Sequence, residues 1–321
     1  MTGRLEDKVA VITGSSSGIG RSIALMYAAE GAYVVCSDID PVPKGDAGKP
    51  THEAINETHH VAAGGKSETR AIFVRADASV SDDLENLVKE CAKAFGRLDI
   101  MVNNAGISPI GLQPPGARIH ETPEASWDKI MGLNGKGVWL GCKFAAVQML
   151  SQDPHSSGDR GWIINMTSVL GTVGSPGSST YTASKHAVIG ITKSIALEYG
   201  KDRMWVFFII SVLLVFNNHI ITPLSLPLTK ESLLYNIFLY SHVNAIAPGF
   251  VETPLLAPFA NENSEDPHLK AVHSMLVSLH PFDSRLGKAE EIAGAAVFLA
   301  SKDAAWVTGA TLQVDGGYAA H

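Results

Sequence analysis

The chain has 321 residues, 45% of them apolar and 18% charged, enough to bury one large core and in the size range of a single α/β domain rather than two. A net charge of −7, with no basic run and no interleaving of aromatic and basic residues, argues against a nucleic-acid partner. Cys36, Cys91 and Cys142 lack paired or C-x-x-C spacing, the histidines, His59-His60 included, lack ligand spacing, and Met1 to Lys8 lacks an apolar h-region; buried thiols, no metal, no secretory signal and a cytoplasmic location are therefore expected.

Lys8 to Ile12 is a short apolar run that reads as a buried parallel strand. It breaks into Thr13-Gly14-Ser15-Ser16-Ser17-Gly18-Ile19-Gly20 before a helix from Arg21 to Glu30. Strand, glycine turn and helix together place backbone N–H groups and a helix N-terminus at a pyrophosphate, so Gly14, Ser15, Ser17, Gly18, Ile19 and Gly20 are candidate cofactor contacts. A second strand, Tyr33 to Ser37, ends at Asp38, roughly twenty residues beyond the glycines, where a carboxylate can accept hydrogen bonds from an adenosine ribose and repel a 2′-phosphate. With Ser17 in the loop and no Arg or Lys directly after Asp38, NAD is expected in preference to NADP; the other reading of Asp38 is a plain turn residue.

Pro41 to Pro50 reads as a surface loop, followed by a polar helix near His52 to Ala63. Ile72 to Ala76 is the third strand, ending at Asp77, and Ser81 to Phe95 is a helix with Leu84, Leu87, Val88 and Cys91 at helical spacing. A fourth strand, Leu98 to Val102, runs into Asn103-Asn104-Ala105-Gly106, small and polar residues where a cofactor would lie against a strand end. The next helix runs from about Pro123 through Trp127, Asn134 and Cys142 to Leu150; the Asn134 amide inside it is either satisfied by backbone or holds a water. After a polar loop from Gln152 to Arg160, Ser168 belongs to the apolar strand of Trp162 to Met166, which ends in a polar, Gly-rich loop. Ser179 to His186 opens a helix reaching about Tyr199. On it Tyr181 and Lys185, four apart, share one face, and an ammonium beside a phenol favours phenolate and lowers a pKa of roughly 10. Taken alone, that spacing is equally an ordinary amphipathic pair. Val243 to Ala247 is a sixth strand ending at Pro248-Gly249, with Val251 and Thr253 beyond; Pro254 to Leu286 is a Pro-interrupted stretch of the kind that forms a substrate lid. A helix from Ala289 to Ser301 and a strand from Thr311 to Val314 close the chain. Strand alternating with helix throughout predicts a single-domain Rossmann fold, a doubly wound parallel sheet with helices on both faces.

Jointly, Thr13-Gly14-x-x-x-Gly18-Ile19-Gly20, Asp77, Asn103-Asn104-Ala105-Gly106, Asn134, Ser168, Tyr181-x-x-x-Lys185 and Pro248-Gly249 with Thr253 resemble the classical short-chain dehydrogenase/reductases, over the whole length except Pro41 to Pro50 and Met204 to Ser241. The resemblance implies that Tyr181 is the general acid/base and that Ser168 orients the substrate oxygen. It implies that Lys185 holds the nicotinamide ribose and lowers the Tyr181 pKa, that Asn134 anchors a water in a proton relay, and that Val251 and Thr253 meet the nicotinamide carboxamide. It further implies a small alcohol or ketone substrate and a homo-dimer or homo-tetramer formed through the helices carrying Asn134 and Tyr181. The alternative is a non-catalytic NAD-binding scaffold, or an enzyme made inactive or membrane-associated by the insertion.

Met204 to Ser241 departs from the family pattern: an unbroken apolar run from Met204 to Phe216, two asparagines, two prolines and a second apolar run near Leu233 to Tyr240. The first run is short of the roughly 20 residues that a spanning helix needs. A lid role is disfavoured, because this connection lies at the N-terminal ends of the strands, opposite the ligand crevice. A translated intron accounts for it better. Met204-Trp205-Val206 must be encoded ATGTGGGT, which supplies a GT donor after AT. Tyr240 ends in a pyrimidine and Ser241 can be AGC or AGT, which supplies the acceptor. The spliced chain would read Lys201-Asp202-Arg203-Ile-His242-Val243, a continuous helix end and strand.

Overall fold

The computed structural model describes residues 3–44, 48–58, 61–63, 66–200, 240–259 and 265–320. In chain order the strands are Val9–Thr13 (β1), Tyr33–Asp38 (β2), Val61–Ala63 (β3), Lys66–Glu68 (β4), Ala71–Arg75 (β5), Ile100–Asn103 (β6), Asp159–Met166 (β7), Tyr240–Pro248 (β8) and Thr311–Val314 (β9). Seven of them form one sheet in the order β5-β2-β1-β6-β7-β8-β9, with every neighbouring pair parallel. The two short strands β3 and β4 pair antiparallel as a hairpin outside it. The central strands are apolar up to their last residues, Thr13 and Asn103, because both faces are covered: all of β1 and β6 is buried.

The helices are Gly18–Ala29 (α1), Thr51–Thr58 (α2), Ser81–Phe95 (α3), Glu124–Ile130 (α4), Val138–Ser151 (α5), Ser179–Gly200 (α6), Pro267–Ser278 (α7) and Ala289–Ala300 (α8). On one face of the sheet Ile23, Ala24 and Tyr27 of α1 pack with Ile292, Ala296 and Val297 of α8, and the Tyr27 hydroxyl donates to Ala296 O at 3.0 Å. On the other face Leu84, Leu87 and Cys91 of α3 pack with Leu140 and Ala145 of α5 and Val188 of α6. This doubly wound arrangement agrees with the predicted fold class. Strand order reverses at β1, which pairs with β2 on one side and β6 on the other, so the crevice that such a reversal leaves opens at the carboxyl ends of β1 and β6.

Three elements differ from the sequence-based expectation. The helix expected near 52–63 stops at Thr58, and Val61–Ala63 is strand β3. The long helix through Asn134 is divided by a π-helical turn, Met131–Gly137, between α4 and α5. The lid stretch contains α7, started by Pro267 in its first turn and by Asp266, whose carboxylate accepts from the His268 N–H at 2.8 Å. All three cysteines are free and buried as expected, and burial pushes the Cys36 and Cys142 thiols up to about 12, so they are inert near neutral pH.

Most of the Met204 to Ser241 insertion lies outside the described residues. Its attachment does not. Tyr240 and Ser241 open β8 opposite Asp159 and Gly161, the first residues of β7, at the edge of the sheet away from the crevice. From His242 onward the strand is tightly seated: the His242 ring stacks on Trp162 at 5.8 Å and 8°, and its Nε2 lies 3.3 Å from Asp159 Oδ1. Among the described residues no helix is long and apolar enough to cross a membrane.

Candidate active site

The glycine turn folds back on itself so closely that side chains are excluded. Gly14 and Gly18 adopt φ of +66° and +54°, the left-handed region that disfavours a Cβ. A Cβ at Gly14 would stand 2.9 Å from Ala105 Cα, and one at Gly20 would stand 2.2 Å from Gly14 O. The start of α1 carries no side-chain cap from Ser17, so its first N–H groups face the crevice. Beside them Asp38 is fixed by two backbone donors, Ser16 N–H at 3.2 Å and Ile39 N–H at 2.8 Å. A cradle that a Cβ would fill, a bare helix N-terminus and a carboxylate held at the rim fit a dinucleotide: phosphates at the turn, ribose hydroxyls at Asp38.

One cleft of 630 Å³ is lined by Gly14, Ser17, Gly18, Ile19, Asp38, Asp77, Asn104, Ala105, Gly106, Ser168, Tyr181, Lys185, Pro248, Gly249, Val251 and Thr253. Ser15, Gly20 and Asn134 do not line it, and each has a bracing position instead. The Ser15 side chain is buried and its N–H and hydroxyl both donate to Ser37 O, tying the turn to β2. Asn104 lines the cleft, but its amide is occupied: it donates to Thr13 O at 2.9 Å and Gly14 O at 3.2 Å, while Thr13 Oγ1 accepts from the N–H groups of Asn104 and Ala105, both at 3.0 Å. The Asp77 carboxylate accepts from the Ser79 hydroxyl at 2.7 Å and the Ser79 N–H at 2.9 Å, bonds that hold it below its ordinary range.

Ser168 stands two residues past the end of β7 rather than within it, capping a short 3₁₀ turn, and its Oγ accepts from Leu170 N at 3.2 Å. Tyr181 is in the first turn of α6 and half-buried, and Lys185 follows one turn later, buried, with Nζ donating to Met166 O at 2.9 Å and lying 5.5 Å from the Tyr181 ring centre. Burial pushes the Tyr181 phenol up to about 12, against the opposing pull of the Ser168 side chain. This corrects the expectation of a phenol lowered by its lysine. Loss of solvent around the phenolate sets the direction of the shift, and Lys185 turns its ammonium to a carbonyl while burial brings its own pKa down to about 8.

The Asn134 side chain makes the backbone bonds of one of the two readings left open for it. Its Oδ1 accepts from Ile107 N at 2.9 Å, and its Nδ2 donates to Ile107 O at 2.9 Å and Ser184 Oγ at 3.3 Å. The π-helical turn supplies the extra residue that swings this amide toward the loop after β6, a device common at functional sites. Sequence reasoning passed over the brace beneath the site. Asn103 Nδ2 donates to Asn165 Oδ1 at 2.9 Å, and Asn165 Nδ2 donates to Thr192 Oγ1 at 3.0 Å, tying β6, β7 and α6 together inside the core. A polar residue at a strand position flanked by isoleucine and methionine was the available signal. His280 was also missed: it accepts from Phe250 N at 3.1 Å through Nε2 and meets Leu276 O at 2.8 Å through Nδ1, joining the lid to the loop after β8.

The family profile described as short chain dehydrogenase matches residues 8–215, more than half of the chain. The protein belongs to the short-chain dehydrogenase family. A second profile, described as enoyl-(acyl carrier protein) reductase, matches residues 241–319 of this dehydrogenase. An uncharacterized oxidoreductase of Thermotoga maritima is 34% identical over 97% of both chains, and the cis-4-hydroxycyclohexanecarboxylate dehydrogenase of Sinomonas cyclohexanicum is 32% identical, covering 98% of this chain and 97% of its own. The crystal structure of levodione reductase superposes with a TM-score of 0.72 at 28% identity, covering 98% of each chain. The dehydrogenase is thus an oxidoreductase of a family that uses nicotinamide cofactors.

Proposed function

We propose that the dehydrogenase interconverts a secondary alcohol and its ketone with NAD, using Tyr181 as general acid/base. The observation that carries this reading is the convergence of the Ser168 and Tyr181 hydroxyls on one cleft, with Lys185 behind them and a carboxylate at the ribose position. Bound nicotinamide supplies the hydride acceptor. Ser168 holds the substrate oxygen by hydrogen bonding, and Tyr181 takes the carbinol proton in oxidation or returns it in reduction. Lys185, with its ammonium 5.5 Å from the Tyr181 ring centre, would leave the Met166 carbonyl to hold the nicotinamide ribose, and Asp38 would accept from the adenosine ribose hydroxyls. The test is the ratio of kcat/KM with NAD and with NADP over a panel of secondary alcohols, followed by absorbance of the reduced nicotinamide. NAD is expected to win. Asp38→Ala with Ile39→Arg should narrow or invert the ratio; an NADP preference in the unmodified chain would sink the cofactor assignment.

The homo-oligomer reading is supported by the outer faces of α5 and α6, where Trp139, Val147, Leu150 and Leu197 are exposed and a groove runs between the helices. Light scattering should return a dimer or tetramer mass. The reading of Met204 to Ser241 as a translated intron is supported at its far end by the second profile match, which begins at residue 241; the first match runs to residue 215, so the gap between them covers 216–240. Removing the segment would leave Lys201-Asp202-Arg203 between the end of α6 and a strand opening with Ile in place of Ser241, an ordinary αβ connection.

A further inference from the structure

The cleft is strongly asymmetric in charge. Asp38, Lys44 and Asp77 line the end beneath β2 and β5, where the dinucleotide's adenosine half fits. Beyond Tyr181 the walls come from the loop after β6, the turn after β7 and the lid, and they are mainly apolar, with Ile107, Ile110, Leu170, Leu256, Phe259 and Leu276 among them and Ser108 and Ser178 as neutral polar residues. Among the described residues lining this end none is charged except Lys185, whose ammonium is buried against the Met166 carbonyl beneath the phenol. The Ser168 and Tyr181 hydroxyls are polar groups available to a reacting oxygen.

Such a chamber suits a molecule with one polar point and a hydrocarbon body. An anionic group carried into it would lose its hydration and find, among the described lining residues, neutral hydroxyls but no cation apart from the buried Lys185 to replace it. We propose that the substrate is an uncharged, hydrocarbon-bodied secondary alcohol, or its ketone, and that the lid end of the cleft rejects alcohols bearing a carboxylate. This rests on the dehydrogenase reading above and narrows it to a substrate class. It also separates this chain from its Sinomonas relative, whose name specifies a carboxylate substrate.

The experiment compares two rings that differ by one charge. With NAD at saturating concentration, cyclohexanol should exceed cis-4-hydroxycyclohexanecarboxylate in kcat/KM by about 100-fold or more, as expected when one substrate buries an unpaired ion. Calorimetric titration of the NADH-loaded enzyme should show cyclohexanone binding at least about tenfold more tightly than 4-oxocyclohexanecarboxylate, a measurement that needs no turnover. Leu256→Arg places a cation on the lid and should raise kcat/KM for the carboxylate by about tenfold while lowering that for cyclohexanol. A carboxylate ring equal to or better than the neutral one in the unmodified enzyme, binding of neither ketone, or a ranking untouched by Leu256→Arg overturns the proposal. Failure of the dehydrogenase reading looks different: no alcohol reduces NAD, while the calorimetric ranking of the two rings still decides the charge question.

Discussion

Tyr181 and Lys185 sit one helical turn apart and burial drives their protons in opposite directions, the phenol up to about 12 and the ammonium down to about 8. At neutral pH the pair therefore stands as phenol and ammonium, ready to donate a proton in ketone reduction. Oxidation needs phenolate, so its kcat/KM should climb about tenfold per pH unit from about pH 5.5 to pH 7.5, below the pH at which Lys185 itself loses its proton, while reduction stays level over the same range. Removing the charge with Lys185→Met should displace the oxidation limb upward by at least about 1 pH unit, because a unit charge at this separation contributes a few kcal/mol in a protein environment. Paired pH profiles in the two directions check this, and an oxidation profile that is flat in the unmodified enzyme would reject Tyr181 as the base. The spacing of the pair was legible in the sequence. The sign of the phenol's shift was not, because it depends on how much solvent the fold removes from Tyr181 and on Lys185 turning to Met166 O, and neither is written in a four-residue interval.

At the scale of elements, periodicity located the helices and strands well wherever a run was long and apolar: Ser81–Phe95 and Thr311–Val314 match their expected bounds, and β7 and β8 extend the expected strands. It failed where geometry depends on a distant partner. The π-helical turn at Met131–Gly137 accompanies the Asn134 bonds to Ile107, and α7 is set by its own cap within a stretch whose prolines read as interruption. His280 shows how that lid helix acts on the cofactor loop. Phe250 N–H donates to its Nε2, so the ring carries its proton on Nδ1, toward Leu276 O. Gly249 packs against the same ring so tightly that a Cβ would stand 2.7 Å from Nε2. Replacing the ring by His280→Ala leaves Phe250 N–H and Leu276 O without these partners and should cost about 2 kcal/mol of stability. It should also raise the KM for NAD, since Pro248 to Thr253 loses its anchor. Denaturant melts and cofactor titrations measure the two effects, and a variant unchanged in both would show that the lid and the loop are independent.

For the whole molecule, a parallel sheet covered by helices on both faces was legible in the alternation of strand and helix, whereas the strand order β5-β2-β1-β6-β7-β8-β9 was not, because it depends on which way each crossover turns. The gathering of Asp38, Gly14, Tyr181 and Thr253 from distant parts of the chain around one cleft follows from that topology, each lying near the carboxyl end of its strand or in the helix beyond it. Met204 to Ser241 does not belong to this logic, since it joins α6 to β8 at the opposite edge. We therefore expect the version reading Arg203-Ile-His242 to be more soluble and fully active, the apolar runs being an aggregation liability. Transcripts sequenced across the junction should read Arg-Ile-His, and activity confined to the full-length chain would reverse that reading. On the mechanism proposed above, one proton, on Tyr181, makes this cleft a dehydrogenase. The most direct measurement pairs turnover with NADH binding, followed by fluorescence, in Tyr181→Phe: turnover should drop by at least about 1,000-fold while the NADH Kd stays within about threefold. Alcohol oxidation within tenfold of the unmodified enzyme would contradict it.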